Sequence, residues 1–234
     1  MSKSETLRRY LLFVVSLFFS ALGVAFIKHG ALGVSPTSSV ANILSLKFTK
    51  LTLGAWVTAW NLLLILGQVV ILRSKFSAIQ LLQLPLSFLF GWFTDLGMVI
   101  VDKFPVHGYA GCMAFLIIGI IIRGFGVSLS VIANIILNSN EAFIKAISDT
   151  YNKSFGNTKI VFDITNVILA AGLSLVFFGN IVEIREGTII AALLTGFAVN
   201  IFNKLLTDPL NTVMTCRHIR ATKSRKAANT AEAA

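Results

Sequence analysis

Six stretches of the chain are long and apolar enough to cross a lipid bilayer as helices. A spanning helix needs about 20 mostly apolar residues. Charged residues make up only 13% of this 234-residue chain, whereas soluble domains carry about 25%. The sequence therefore predicts an all-α, polytopic membrane protein. The predicted spans are residues 7–27, 54–72, 79–101, 107–122, 159–178 and 188–206.

Two shorter apolar segments, residues 33–46 and 126–137, lie between the predicted spans. At 1.5 Å per residue each reaches roughly 20 Å, which is short of the hydrocarbon thickness of about 30 Å. Each opens at a glycine-containing break, where Ser35 or Ser128 is placed to cap a new helix. We predict both as short, broken or re-entrant helices. The alternative is that both cross fully, which gives eight crossings.

The two halves of the chain share a pattern. The Gly-Val-Ser sequence at residues 33–35 recurs 93 residues later, at 126–128. Asn61 recurs 105 residues later as Asn166. The change of offset falls in the polar stretch 138–157, which we therefore expect to be a loop insertion. The pattern predicts an internal duplication.

The predicted membrane region is one domain, residues 1–206, built from two repeats, residues 7–102 and 107–206. If each repeat has three spans, the second repeat has the opposite orientation in the membrane, as in many secondary transporters. Eight crossings would make the repeats parallel. Residues 207–234 are expected to form a disordered, basic cytoplasmic tail.

The formal net charge of +10 comes from basic residues at the ends of apolar segments and in the tail. Such residues mark cytoplasmic flanks, so both termini are expected in the cytoplasm, although Lys47 and Lys50 depart from the rule. The expected partners of this charge are anionic membrane lipids and not nucleic acid. The apolar run 11–27 is too long for the core of a signal peptide, so we predict a retained helix. The basic tail residues are Arg217, Arg220, Lys223, Arg225 and Lys226.

Three features carry a resemblance to a known family: the Gly-Val-Ser-Pro break at residues 33–36, the Gly91-x-x-x-Asp95 motif and the chain length. The chain resembles the YczE/YyaS/YitT group of bacterial membrane proteins over about residues 8–206. It is nearer the YczE branch, because the soluble C-terminal domain of the YitT branch is absent. The resemblance implies a multi-pass protein of the bacterial inner membrane and implies no substrate.

Asp95 and Arg123, ionisable residues inside a predicted apolar segment or at the junction of two, are candidates for a site. Ionisable side chains at membrane depth are costly, so they usually face protein or water and often mark a functional site. Asp95 is a candidate for substrate or proton binding, or else for a hydrogen bond between packed helices. Arg123 stands at the second predicted break, beside backbone N–H groups that suit an anion. The alternative for Arg123 is an arginine that reaches to lipid headgroups.

The remaining candidates are uncharged. The serines at the two breaks add hydroxyl donors for an anionic group. Four asparagines recur in the two halves and either line a substrate site or hydrogen-bond across helices. The predicted substrate-binding residues are Ser35, Asn42, Asn61, Asp95, Arg123, Ser128, Asn134 and Asn166.

These features favour a small-molecule permease, a secondary transporter whose substrate carries an anionic group. The alternative is a membrane regulator or substrate-binding subunit that does not transport and works with a partner protein. No motif of a metalloprotease, a phosphate-binding loop or a nucleophile elbow occurs, so we expect no enzyme activity, no catalytic residue, no metal and no cofactor. Self-association into a homo-oligomer is left open.

Overall fold

The computed structural model describes residues 3–73 and 76–231, with side chains to residue 210. Helices account for most of these residues, and none of them belongs to a strand. Short 3-10 turns, Pro36–Ser38 and Ala78–Leu82, lead into the second and fourth helices. The helices are α1 Lys3–His29, α2 Ser39–Lys47, α3 Leu53–Leu72, α4 Gln83–Val101, α5 Gly108–Ala133, α6 Ser139–Thr150, α7 Phe155–Phe178 and α8 Glu186–Ala231.

Six of these elements are long and apolar enough to cross a membrane, and α2 and α6 are not. The short helices have 9 and 12 residues, which is about half of what a spanning helix needs. The prediction of an all-α, multi-pass membrane protein with six spans and two short helices is confirmed. The six spans are Glu5–His29, Leu53–Leu72, Ile79–Val101, Gly108–Ala133, Phe155–Phe178 and Glu186–Leu210.

Helices α1 and α5 form the centre of the bundle and run antiparallel. Gly30 lies against Leu116, and Gly23 lies against Arg123, so the residue number falls by seven in α1 as it rises by seven in α5. A Cβ atom added to Gly23 would lie 2.5 Å from the Cβ of Arg123. The glycines therefore allow the two backbones to approach closely, as small residues do between membrane helices.

In each half, the last helix packs on the first helix of that half. In the first half, Gly97 of α4 packs against Ala25 of α1, and in the second half, Ala198 of α8 packs against Gly124 of α5. In each half, the two contacting residues are 72–74 positions apart in the sequence. Each short helix packs against a long helix of the other half: α2 packs on α7, and α6 packs on α3.

The predicted break at residues 123–128 is wrong, because α5 continues as one helix through this segment. Its glycines serve close packing: Gly126 faces Ser20 of α1, and Gly124 faces Ala198 of α8. The second short helix is therefore not 126–137. It is α6, which lies in the polar stretch 138–157 that the sequence analysis assigned to a loop insertion.

The Gly-Val-Ser pairing of residues 33–35 with 126–128 is consequently wrong as a structural equivalence, because the first triplet precedes a short helix and the second lies inside a long one. At the C-terminus, α8 continues beyond residue 206, the predicted end of the last span, as helix to Ala231. The side chains of the basic tail and Lys75 lie outside the described part of the chain. The disordered cytoplasmic tail stays a prediction.

Candidate functional site

The first short helix starts inside the bundle. After α1 ends, residues 32–43 are all buried, so the chain turns inward before α2 begins. Gly33 has a φ of +139°, which glycine adopts without strain. A side chain there would also meet the Thr188 hydroxyl at 2.5 Å. That hydroxyl accepts a hydrogen bond from the Val34 N–H at 3.1 Å and holds the entry against α8.

The second short helix, α6, also starts inside the bundle. Asn138 caps it, its side-chain oxygen accepting from the Ser139 N–H at 2.9 Å. The Ser139 hydroxyl lies 3.0 Å from the Ser87 hydroxyl of α4, and Asn140 donates to the Asn61 side-chain oxygen of α3 at 3.2 Å. These bonds hold the start of α6 against the two middle helices of the first half.

The two helix starts face one small cavity near the middle of the bundle. Its volume is about 20 Å³, which is room for about one water molecule. We call it the central cavity. Apolar side chains of α1, α3, α4 and α5 complete its wall. Its polar lining consists of Ser20, Thr37, Ser38, Arg123, Asn138, Asn140 and Glu141.

Hydrogen-bond donors converge where α2 begins. The Arg123 guanidinium donates to the Ser35 hydroxyl and, at 2.6 Å, to the Thr37 hydroxyl. Neither Ser35 nor Ser38 caps the helix start with its side chain, and the first turn of α2 carries no acidic residue. The partial positive charge of a helix N-terminus therefore adds to that of Arg123. We call Ser35, Thr37 and Arg123 the α2 pole.

Hydrogen-bond acceptors without partners converge where α6 begins. Asn140 is only 7% exposed, yet its side-chain oxygen has no partner among the described residues. The Glu141 Oε2 is also buried and unpartnered there. Buried polar atoms are nearly always hydrogen-bonded in folded proteins, so these two acceptors call for a donor. We call Asn140 and Glu141 the α6 pole.

The α6 pole was not predicted, although the sequence carries a signal for it. Asn138 followed three residues later by Glu141 is a helix-start pattern, with a capping residue and an acid in the first turn. Apolar residues at helical spacing, Phe143, Ala146 and Ile147, follow. The polar composition of residues 138–157 obscured this signal, because membrane helices are sought first by hydropathy.

The structure brings three of the eight predicted residues to the two poles or their immediate contacts, and a fourth to the start of α2. Ser35 and Arg123 belong to the α2 pole. Asn61 is fully buried and bonds to Asn140 of the α6 pole. Asn166 is buried in α7, and its backbone carbonyl accepts from the Ser39 hydroxyl at the start of α2.

Asn42 belongs to a second polar cluster, at the end of the bundle where α1 ends. Its side-chain oxygen accepts a hydrogen bond from the Lys28 ammonium. Its amide donates to the Glu183 carboxylate at 2.6 Å. The cluster thus ties α1 and α2 to the loop between α7 and α8, away from the central cavity.

Three predicted residues have other partners. Asp95 accepts from the Gly54 N–H at 2.7 Å and the Thr52 hydroxyl at 2.6 Å, so it closes the start of α3. The Ser128 hydroxyl donates to the Asn203 side chain of α8 at 2.7 Å. Asn134 ends α5 in a left-handed conformation and lines a groove of about 530 Å³. None of the three lines the central cavity.

Polar side chains separate the groove from the central cavity. Gln68 of α3 and Gln83 of α4 exchange two hydrogen bonds, at 3.1 and 3.2 Å, and Gln68 also donates to the Ser139 carbonyl at 3.3 Å. Gln83 lines the groove, whereas the neighbouring Asn138 lines the cavity. The Gln68–Gln83 pair therefore lies between the groove and the cavity, together with the start of α6.

These features define a class: an all-helical, multi-pass membrane protein with a polar centre between two short buried helices. The chain belongs to a family of unknown function, DUF6198, which matches residues 7–204. That range includes all six spans, apart from the ends of the first and last, and both poles. No curated protein and no solved structure matches the chain.

Proposed function

We propose that the protein is a secondary transporter, a permease of the bacterial inner membrane, that binds a small molecule with an anionic group at the α2 pole. One observation carries the proposal. Arg123, in the middle of a membrane span, is bonded to hydroxyls at the uncapped start of a buried short helix, beside a polar cavity. A fixed cation, two hydroxyls and a helix N-terminus together form a site for a carboxylate or a phosphate.

The arrangement of the two halves supports transport. Each half contains a long helix, a short buried helix and two further spans. The central helices α1 and α5 are antiparallel, and Gly23 meets Arg123 near the middle of their contact. In this proposal a two-fold axis through this contact, parallel to the membrane plane, relates α1–α4 to α5–α8 as inverted repeats, although α3 packs on α4 whereas α7 makes little or no contact with α8. Secondary transporters with inverted repeats bind substrate where the repeats meet, near the midplane.

A closed cavity is consistent with the occluded state of a transporter, which lies between its outward-open and inward-open states. Toward the groove it is covered by the Gln68–Gln83 pair. Toward the other end, the entry to α2 is held to α8 through the Val34 bond to Thr188. Alternating access requires that one such barrier open while the other stays shut. The second barrier also includes a backbone bond, from the Gly187 N–H to the Leu32 carbonyl at 2.9 Å.

The orientation and the finer family assignment belong to the same proposal. Six spans place both termini on one side, and Arg8 and Arg9 before the first apolar run favour the cytoplasmic side. The basic tail then meets the anionic lipids of the inner leaflet. The resemblance to the YczE branch agrees with such a protein, and no substrate follows from it.

The test uses purified protein in liposomes. Proteoliposomes and empty liposomes are incubated with a defined mixture of small carboxylates, phosphates and amino acids, and the trapped solutes are quantified by mass spectrometry. We expect at least one solute with an anionic group to enter with the wild type and at least about tenfold less with Arg123→Gln. The control is Arg185→Gln, an exposed arginine outside the site. If nothing enters, the permease is wrong and the partner-dependent regulator takes its place.

A further inference from the structure

The two poles of the central cavity have opposite chemistry. The α2 pole presents donors and positive charge, through the Arg123 guanidinium and the uncapped helix start. The α6 pole presents acceptors, the Asn140 side-chain oxygen and the Glu141 carboxylate oxygen, neither with a partner in the described residues. An anion alone fits the first pole and leaves the second unsatisfied.

The two charges at the poles do not neutralise each other directly. Arg123 and Glu141 both line the cavity. The ion pairs of the described residues nevertheless include none between them, within 4.0 Å. A buried carboxylate oxygen needs a cation or a hydrogen-bond donor, because desolvation without a partner is costly. The buried amide nitrogen of Asn61 is also without a partner among the described residues, but it belongs to the residue that Asn140 already bonds. The space that Asn140 and Glu141 both line is the central cavity.

We propose that the central cavity takes a small zwitterion, with its anionic group on the α2 pole and its ammonium group on the α6 pole. The ammonium supplies three N–H donors, which match the free oxygens of Asn140 and Glu141. Because Thr37 and Arg123 of the α2 pole and both residues of the α6 pole line one small cavity, the ligands that fit are those whose two charges lie a few bonds apart, as in α- and β-amino acids. This inference deepens the proposed function and rests on it.

Binding must separate the poles. The cavity has room for about one water molecule, so a zwitterion enters only when α2 and α6 move apart. In the closed structure the hydroxyls of Ser35 and Thr37 are occupied by Arg123. A carboxylate between the guanidinium and these hydroxyls would replace those bonds without leaving Arg123 unpaired.

The experiment compares ligands that differ only in the ammonium group. Binding to the purified full-length protein and uptake into proteoliposomes are measured with radiolabelled glycine, alanine and β-alanine, and with acetate and propionate. We expect the zwitterions to bind at least about tenfold more tightly than the simple carboxylates. Glu141→Gln should remove this preference. Asp149→Asn, an exposed acid on the same helix, is the matched control and should leave it unchanged.

The failure of this inference is distinguishable from the failure of the permease. Equal binding of propionate and alanine, unaffected by Glu141→Gln, would overturn the zwitterion and leave the permease standing. Uptake of propionate with a proton, with proton dependence lost in Glu141→Gln, would also overturn it, because Glu141 would then carry the proton. Uptake of no solute in the mixed-solute assay would end both. Thermal unfolding of each variant shows whether it is folded.

Discussion

The starts of α2 and α6 occupy similar positions in the two halves but carry opposite charge. Both short helices begin inside the bundle and face the central cavity. At α2 the helix start has no acid in its first turn and lies beside Arg123. At α6 the helix start has its own acid, Glu141, and a capping asparagine. The same backbone element can therefore attract an anion or a cation, depending on the side chains in one turn.

Asp95 provides a second comparison, with Glu141. Both are carboxylates close to the start of a helix within the bundle. Asp95 receives a backbone N–H and a hydroxyl at the start of α3, whereas the Oε2 of Glu141 receives no bond from the described residues. Asp95 thus shows how a carboxylate is satisfied inside this protein. The difference supports the proposed roles, in which Asp95 stabilises the fold and Glu141 faces the ligand.

The largest effect is expected from removing the charge of the α2 pole. Arg123→Gln keeps a hydrogen-bonding side chain but removes the cation, and charge-assisted bonds are worth about 1.5–3 kcal/mol each. We expect an anionic or zwitterionic ligand to bind roughly 10- to 100-fold more weakly, measured by equilibrium binding to the purified protein. Unchanged affinity would show that the two poles do not differ in function.

The close contact between Gly23 of α1 and Arg123 of the α2 pole gives the next effect. A Cβ on Gly23 would clash with the backbone and Cβ of Arg123, and overpacking costs about 1–3 kcal/mol. Gly23→Ala should lower the thermal midpoint by roughly 2–10 °C, since about 1 kcal/mol corresponds to about 2–4 °C at this size. Gly172→Ala is the control, because nothing lies within 4 Å of its added Cβ, and it should unfold at or above the wild-type midpoint.

Substitutions of Asp95 test whether a carboxylate with hydrogen-bond partners serves stability rather than ligand binding. Asp95→Ala removes the acceptor for Gly54 and Thr52 and should destabilise the protein by about 1–3 kcal/mol. Asp95→Asn retains an acceptor and should cost less. Thermal unfolding gives the cost, and ligand affinity should stay within about twofold of wild type. A loss of affinity in a folded Asp95→Asn protein would contradict the structural role.

The smallest effects separate two serines that the sequence treats alike. Ser35→Ala removes a hydroxyl of the α2 pole and should weaken ligand binding by roughly three- to tenfold, the equivalent of one modest hydrogen bond. Ser128→Ala removes only the bond to Asn203, worth about 0.6 kcal/mol between membrane helices. Its binding should match wild type. Equal losses of affinity in the two variants would place both serines at the ligand.

Hydropathy alone determined the membrane class, the six spans and the first short helix. Each of these depends on local composition: about 20 apolar residues either occur in a row or do not. The special position of Arg123 was also visible, because a lone cation between apolar runs needs a partner. Its bonds to Ser35 and Thr37, nearly 90 residues away, were not.

Only the tertiary structure decided the meaning of the glycines, the place of α6 and the roles of the carboxylates. A glycine in an apolar run can end a helix or admit a neighbouring one, and Gly126 does the latter because Ser20 lies against it. That choice depends on a residue about a hundred positions away. Likewise, the fold places hydrogen-bond donors beside Asp95 but none of the described residues donates to the Oε2 of Glu141. The local sequence does not contain that information.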